Sequence, residues 1–159
     1  MRTIKVDLYK LEELSEKVQE EVIERLCTCN IDYDWWAGVY DSASNEQIKI
    51  TSFNMDRCYS CNITFMESEM ATAELIVEGH GKESDTYKIS KEFIREVSEL
   101  DAEVDEDQIE YLNHEYEHDI SQEYLKILRD EYEWLTSEES IRESIICNEY
   151  EFTNEGKMQ

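Results

Sequence analysis

Residues 114–118 read HEYEH. His114 and His118 stand four apart, so on a helix they share one face and can hold a metal ion between them. Glu115 then takes the place of a general base, and the chemistry in question is metal-assisted hydrolysis. That chemistry also needs a third ligand, an open coordination position and a shielded helix face. Around this segment the apolar stripe centres on Ile109, Ile120 and Ile127. His118 falls almost opposite the stripe on a helical wheel, and Glu115 lies outside it. The pattern reads as a solvated helix face. A metal-binding protein or metallohydrolase using His114 and His118 is the further alternative.

The cysteines pose a similar question. Cys27 and Cys29 form C-x-C, and Cys58 and Cys61 form C-x-x-C. Four thiolates can close a structural zinc site. However, the first pair ends a helical pattern without a tight turn, and Cys61 occupies an inward position of a strand pattern. A redox C-x-x-C opens a helix, where the dipole lowers a thiol pKa, whereas this one opens a strand. Small buried hydrophobic residues are the expectation, with no metal and no cofactor. Phosphate-cradling and nucleophile-elbow glycine motifs are missing from the sequence. Paired carboxylates carry no signal where acids are this abundant, so no catalytic residue is assigned and no enzyme is expected.

The elements that would position these residues follow from hydrophobic period. Residues 3–9 alternate, with Ile4, Val6 and Leu8 on one side, and predict a half-buried strand. Leu11, Leu14, Val18, Val22 and Leu26 recur at helical spacing, with Ser15 as N-cap. Tyr33, Trp36 and Tyr40 continue a helical pattern that predicts a buried Trp36. The period then becomes two over residues 47–53 and 60–66, across a polar turn, which predicts a hairpin. Helices are expected over 68–78, over 85–100 and from Asp105 onward. In the last of these Leu112, Tyr116, Tyr124, Leu128 and Leu135 join the three isoleucines. Thr136 and Glu139 fit a capping box, so another helix should start at 137. Residues 148–153 alternate again and suit an edge strand. The expected fold is α+β: a small antiparallel sheet of three to four strands, packed mainly on one face by four to six helices. With 159 residues, no proline and four glycines, the chain reads as one domain over 1–159.

Charge is the outlier of the composition. Forty Asp and Glu oppose fifteen Lys and Arg, a net −25. A chain this acidic, yet rich in tyrosine, can fold around a core and repels nucleic acid and anionic membranes. It attracts basic partners. Residues 1–10 carry three basic residues and no apolar run, so no secretory leader is expected, and the odd cysteine count suits a reduced cytosol. The acid is uneven. Between Glu99 and Asp119 lie ten acidic residues and no Lys or Arg. Such a surface can present carboxylates as DNA presents phosphates. Asp101, Glu103, Asp105, Glu106, Asp107, Glu110 and Glu117 are the candidate partner-binding residues, with Tyr111 as an aromatic anchor. The alternative is a face that only solubilises.

Four stretches together resemble a known family: LYKLEELSEKVQEEVIE, IDYDWWAGVYDSA, IKITSFNMDR and EYEWLTSEESIRESIICNEYEFTNEGK. They are similar to small acidic proteins of phages and prophages, some labelled antitoxin of a toxin–antitoxin system. The likeness is densest at both ends and thin across residues 66–108. It offers no catalytic residues to carry over. It implies an accessory phage protein in the host cytosol; by analogy of that context and of the charge, the protein is expected to inhibit a basic, nucleic-acid-binding component of host defence. Anti-CRISPR or anti-restriction action by DNA mimicry would be examples. Neutralising a toxin as an antitoxin is the alternative.

Overall fold

The computed structural model describes residues 5–159. Its helices are α1 (Glu16–Arg25), α2 (Ala37–Asn45), α3 (Glu69–Gly79), α4 (Asp85–Ser98), α5 (Glu106–Leu135) and α6 (Glu138–Cys147). Its strands are β1 (Ile48–Asn54) and β2 (Ser60–Phe65), between α2 and α3. The class is α+β as expected, but the sheet has two strands among the described residues. The chain divides into two compact units. One is continuous, Trp36–Asp130; the other combines the chain up to Trp35 with Glu131–Gln159.

In the continuous unit, β1 and β2 pair antiparallel with Ile48 opposite Phe65 and Ile50 opposite Ile63. A bulge at Thr51 then shifts the register, so that Phe53 meets Cys61. The extra residue is what lets Ile48, Ile50 and Phe53 share a face despite odd spacing. That face is covered, while Lys49, Ser52, Asn62 and Thr64 point to solvent. Ser68 and Ser84 cap α3 and α4, each hydroxyl accepting the amide three residues on, from Ala71 and Tyr87. Trp36 is half-buried rather than buried, meeting Phe53 edge-on at 5.9 Å. The reason is the late helix start. At Ala37 the helix excludes Tyr33, which is exposed, so the three aromatics never form one stripe.

The second unit closes on Leu11, Leu14, Val22, Ile23, Ile141, Ile145 and Phe152. A 3-10 turn at Leu11–Glu13 leads to α1, which starts after Ser15 as expected. Buried Asn30 serves as a polar fastener: its amide nitrogen donates to Leu135 O and to Ser140 Oγ, both at 3.0 Å. Its oxygen accepts from Ser144 Oγ at 2.7 Å. Of the predicted strand over 3–9, the described part, residues 5–9, is not a strand. Residues 3 and 4 lie outside the described residues, and 5–8 are irregular, with Val6 and Leu8 54% and 41% exposed. Alternation without a burying partner does not make a strand. What remains is one bridge, in which Tyr9 and Phe152 exchange both backbone bonds, N to O, at 2.8 and 2.9 Å. The predicted tail strand is likewise reduced to bridges of Phe152 with Tyr9 and Met158. Between them the chain turns at Gly156, whose φ is +78°.

Two expectations about the later helices also change. α6 is capped by Ser137, not Thr136: Ser137 Oγ accepts from Ser140 N, whereas Thr136 Oγ1 donates back to Tyr132 O. On α5 the buried stripe runs through Leu112, Tyr116, Ile120, Tyr124 and Leu128, with Ser121 and Leu125 beside it. Rows of residues four apart slant across a helix. The stripe therefore drifts away from Ile127, which is exposed, and from Ile109, which is half-buried.

Candidate functional site

The acidic candidates sit on the loop after α4 and the first turns of α5. Asp101 and Glu103 lie in the loop, both exposed. Asp101 is committed to the local turn: its Oδ1 accepts from Glu103 N at 2.9 Å, and its own amide donates to Asp105 Oδ2 at 2.9 Å. Asp105 is half-buried and its carbonyl accepts from Ile109 N at 2.9 Å, the opening bond of α5. These two carboxylates have structural duties that the sequence pattern did not reveal.

Glu106, Asp107 and Glu110 are exposed, and so is Tyr111, at 59%. Acids in a first helical turn also complement the partial positive charge of the helix N-terminus, which accounts locally for Glu106 and Asp107. Glu110 lies beyond that turn, so its place is not explained by the helix dipole. With a hundred-degree step per residue, Glu106, Asp107, Glu110 and Glu117 fall along one side of α5. His114 lies in the same stripe, its Nε2 3.9 Å from Glu110 Oε1, with both side chains 73% exposed. Glu117 is half-buried. The structure thus joins Glu106, Asp107, Glu110 and Glu117 with Tyr111 alongside, and separates off Asp101 and Asp105 as turn-makers.

Both histidines of HEYEH are exposed. They line a cleft of about 300 Å³ beside β2, together with Cys61, Asn62, Glu117 and Ser121. Among the described residues no group of three or more His, Cys, Asp or Glu is arranged to hold a metal. Cys61 is buried as expected, and burial pushes its thiol up to about 11, which makes it a poor thiolate. Cys27, Cys58 and Cys147 are exposed, and Cys29 half-buried, so the reading of these residues as buried hydrophobes holds for Cys61 alone.

One polar network escaped sequence reasoning. His80 Nε2 lies 3.1 Å from Glu46 Oε1, and His80 Nδ1 lies 2.7 Å from Thr86 Oγ1. Tyr124 OH donates to Glu46 Oε2 at 3.2 Å. A carboxylate only accepts, so Nε2 carries a proton; in the neutral ring Nδ1 then accepts from Thr86. The order hydroxyl, imidazole, carboxylate resembles a nucleophilic triad. Here Thr86 is buried and the carboxylate is shared with a buried tyrosine, so the network acts as a fastening. It ties the ends of α2 and α3 to the start of α4 and the middle of α5. Burial, and next the Glu46 charge, push the Tyr124 phenol well above its ordinary range. In the sequence His80 is legible only as part of a helix stop.

Among known proteins, no family model, no curated protein and no solved structure matches the chain. Among the described residues no helix is long and apolar enough to cross a membrane.

Proposed function

We propose that this protein works without catalysis, by occupying a basic surface of another protein that handles nucleic acid. A component of host defence, such as a CRISPR or restriction nuclease, is the partner class that suits this best. The observation that carries the reading is the exposed row Glu106, Asp107 and Glu110, with Tyr111 beside it, inside a stretch from Glu99 to Asp119 that holds no Lys or Arg. An unopposed run of carboxylates on a rigid helix presents charge at fixed spacing, as a phosphate backbone does. Tyr111 adds an aromatic ring where an interface would need an anchor. The phage-like resemblance of the four sequence stretches supports the same direction and brings in the second partner class, a basic toxin.

Charge of this sign speeds encounter with a basic partner and makes it salt-sensitive, because screening limits surface charges to about 8 Å at physiological ionic strength. The test is affinity capture from a bacterial lysate with three baits, read by quantitative mass spectrometry. The unmodified protein and a control reversed at Glu12, Glu13, Glu20 and Glu21 should recover the same basic, nucleic-acid-binding protein. A bait carrying Glu106→Lys, Asp107→Lys and Glu110→Lys should not. An acidic partner, or equal recovery by both reversed baits, contradicts the reading.

A further inference from the structure

α4 and α5 enclose a second feature, a groove of about 430 Å³. Its deep residues are apolar: Phe93, Leu112 and Tyr116 are buried, and Ile89 is half-buried. Its mouth is acidic, with Glu92 and Glu96 contributed by α4 and Glu115 and Asp119 by α5. These four carboxylates are not equivalent. Glu92 is paired with Arg95, and Glu96 lies within the field of the same guanidinium. Glu115 and Asp119 have no side-chain hydrogen bond or salt bridge among the described residues. Asp119 is half-buried and Glu115 exposed. Lys88 is the one base on the lining, which leaves the groove with an excess of negative charge.

An apolar floor beneath unpaired carboxylates matches one kind of side chain. An arginine lays its methylene stem along apolar surface while its planar guanidinium reaches out to carboxylates. The volume suits an anchor side chain or two and is too small for a whole element, so the occupant must project from a segment lying across the mouth. Two helices flanking a groove are the usual seat for a third, amphipathic one. We propose that the α4/α5 groove takes an arginine presented by a basic amphipathic helix of a protein partner. The inference rests on the reading that the partner is a basic protein, and it assigns the anchoring contact to a surface other than the Glu106–Glu110 row.

The probe is a labelled helical peptide of about fifteen residues, long enough to hold some helix in isolation, with Arg and Leu on one face. Controls are the same composition scrambled to destroy the face, and citrulline in place of Arg, which keeps the shape and removes the charge. Binding is followed by anisotropy and mapped by amide NMR shifts. The expected result is binding of the Arg peptide alone, with shifts centred on Ile89 and Leu112. Glu115→Gln with Asp119→Asn should weaken it by about tenfold or more, as should the double Lys variant. Reversal at Glu106, Asp107 and Glu110 should change it by less. Circular dichroism and thermal melts establish that each variant is folded, and the Gln/Asn pair keeps the test valid where the Lys pair is not. Equal binding of the scrambled or citrulline peptide, shifts centred elsewhere, or indifference to Glu115 and Asp119 overturns the proposal. Lysate capture that survives the Glu115/Asp119 changes but not the Glu106–Glu110 reversal defeats the groove alone and leaves the proposed function standing.

Discussion

The rings of Phe93 and Tyr116 stack 4.3 Å apart and 12° from parallel, joining α4 to α5 beneath the acidic groove. Tyr116 also stacks on Phe65 of β2 at 5.8 Å, and its hydroxyl lies 2.9 Å from Ser90 Oγ. One side chain therefore couples the sheet, α4 and α5. Phe93→Ala should cost about 3–5 kcal/mol, the range for a deleted core aromatic. Tyr116→Phe keeps both stacks and leaves buried Ser90 without its partner, at about 1–3 kcal/mol. Urea denaturation of the two variants checks the order. A Tyr116→Phe loss equal to that of Phe93→Ala would mean that the hydrogen bond to Ser90 matters as much as the packed rings.

Alkaline pH should unfold the protein through the same residue. Burial pushes the Tyr116 phenol from 10.0 up to about 12, against a smaller opposing effect of the Ser90 hydrogen bond. The folded state then holds its proton where the unfolded chain has lost it. The stabilisation is whole below pH 10 and is lost as pH rises towards 12. Tyr124, raised further, acts in the same direction. Denaturant midpoints measured across this range should fall, and less steeply in Tyr116→Phe. A flat profile would contradict the burial assigned to these rings.

Helical segments were legible in the sequence because burial repeats with the helical period, and α3, α4 and α5 begin within a residue or so of their expected starts. The alternation over 3–9 misled, predicting a strand that the described residues 5–9 do not form, because alternation in Val6 and Leu8 says nothing about whether a partner covers them. Thr51 hid the bulge, since one added residue leaves no mark on composition. The acidic row was visible as a run of like charge. The turn-making duties of Asp101 and Asp105, and the groove formed by Glu115 and Asp119 with Phe93, were not. In a chain with forty acids a single carboxylate carries no signal, and the groove depends on residues of two helices brought together by folding.

Gly156 should tolerate no side chain. Its φ of +78° is a left-handed conformation, and an added Cβ would stand 2.8 Å from Val22 Cγ2 and 2.9 Å from Val18 Cγ1. Gly156→Ala should lower stability by more than about 1 kcal/mol, from backbone strain and displacement of buried Val22. Hydrogen exchange should place the loss in α1 and α6, the helices of that unit. Unchanged protection of α1 would contradict the close approach.

The histidines of HEYEH should be dispensable for the fold. His114 is 73% exposed and its contact with Glu110 is long, at 3.9 Å. His114→Ala with His118→Ala should shift stability by no more than about 0.5 kcal/mol, as for other surface changes. A chelator should leave the melting temperature unchanged. Stoichiometric zinc in untagged protein, lost in the double variant together with stability, would restore the metal reading.

If the acidic row competes with nucleic acid for a basic protein surface, the protein must displace that nucleic acid. The direct measurement is release of a labelled nucleic acid from the captured partner, followed by anisotropy as this protein is added. Release is expected at stoichiometric concentration, weakened by salt, and lost when Glu106, Asp107 and Glu110 are changed to Lys. A ternary complex that retains the labelled nucleic acid, or equal displacement by the reversed variant, would contradict the proposed function.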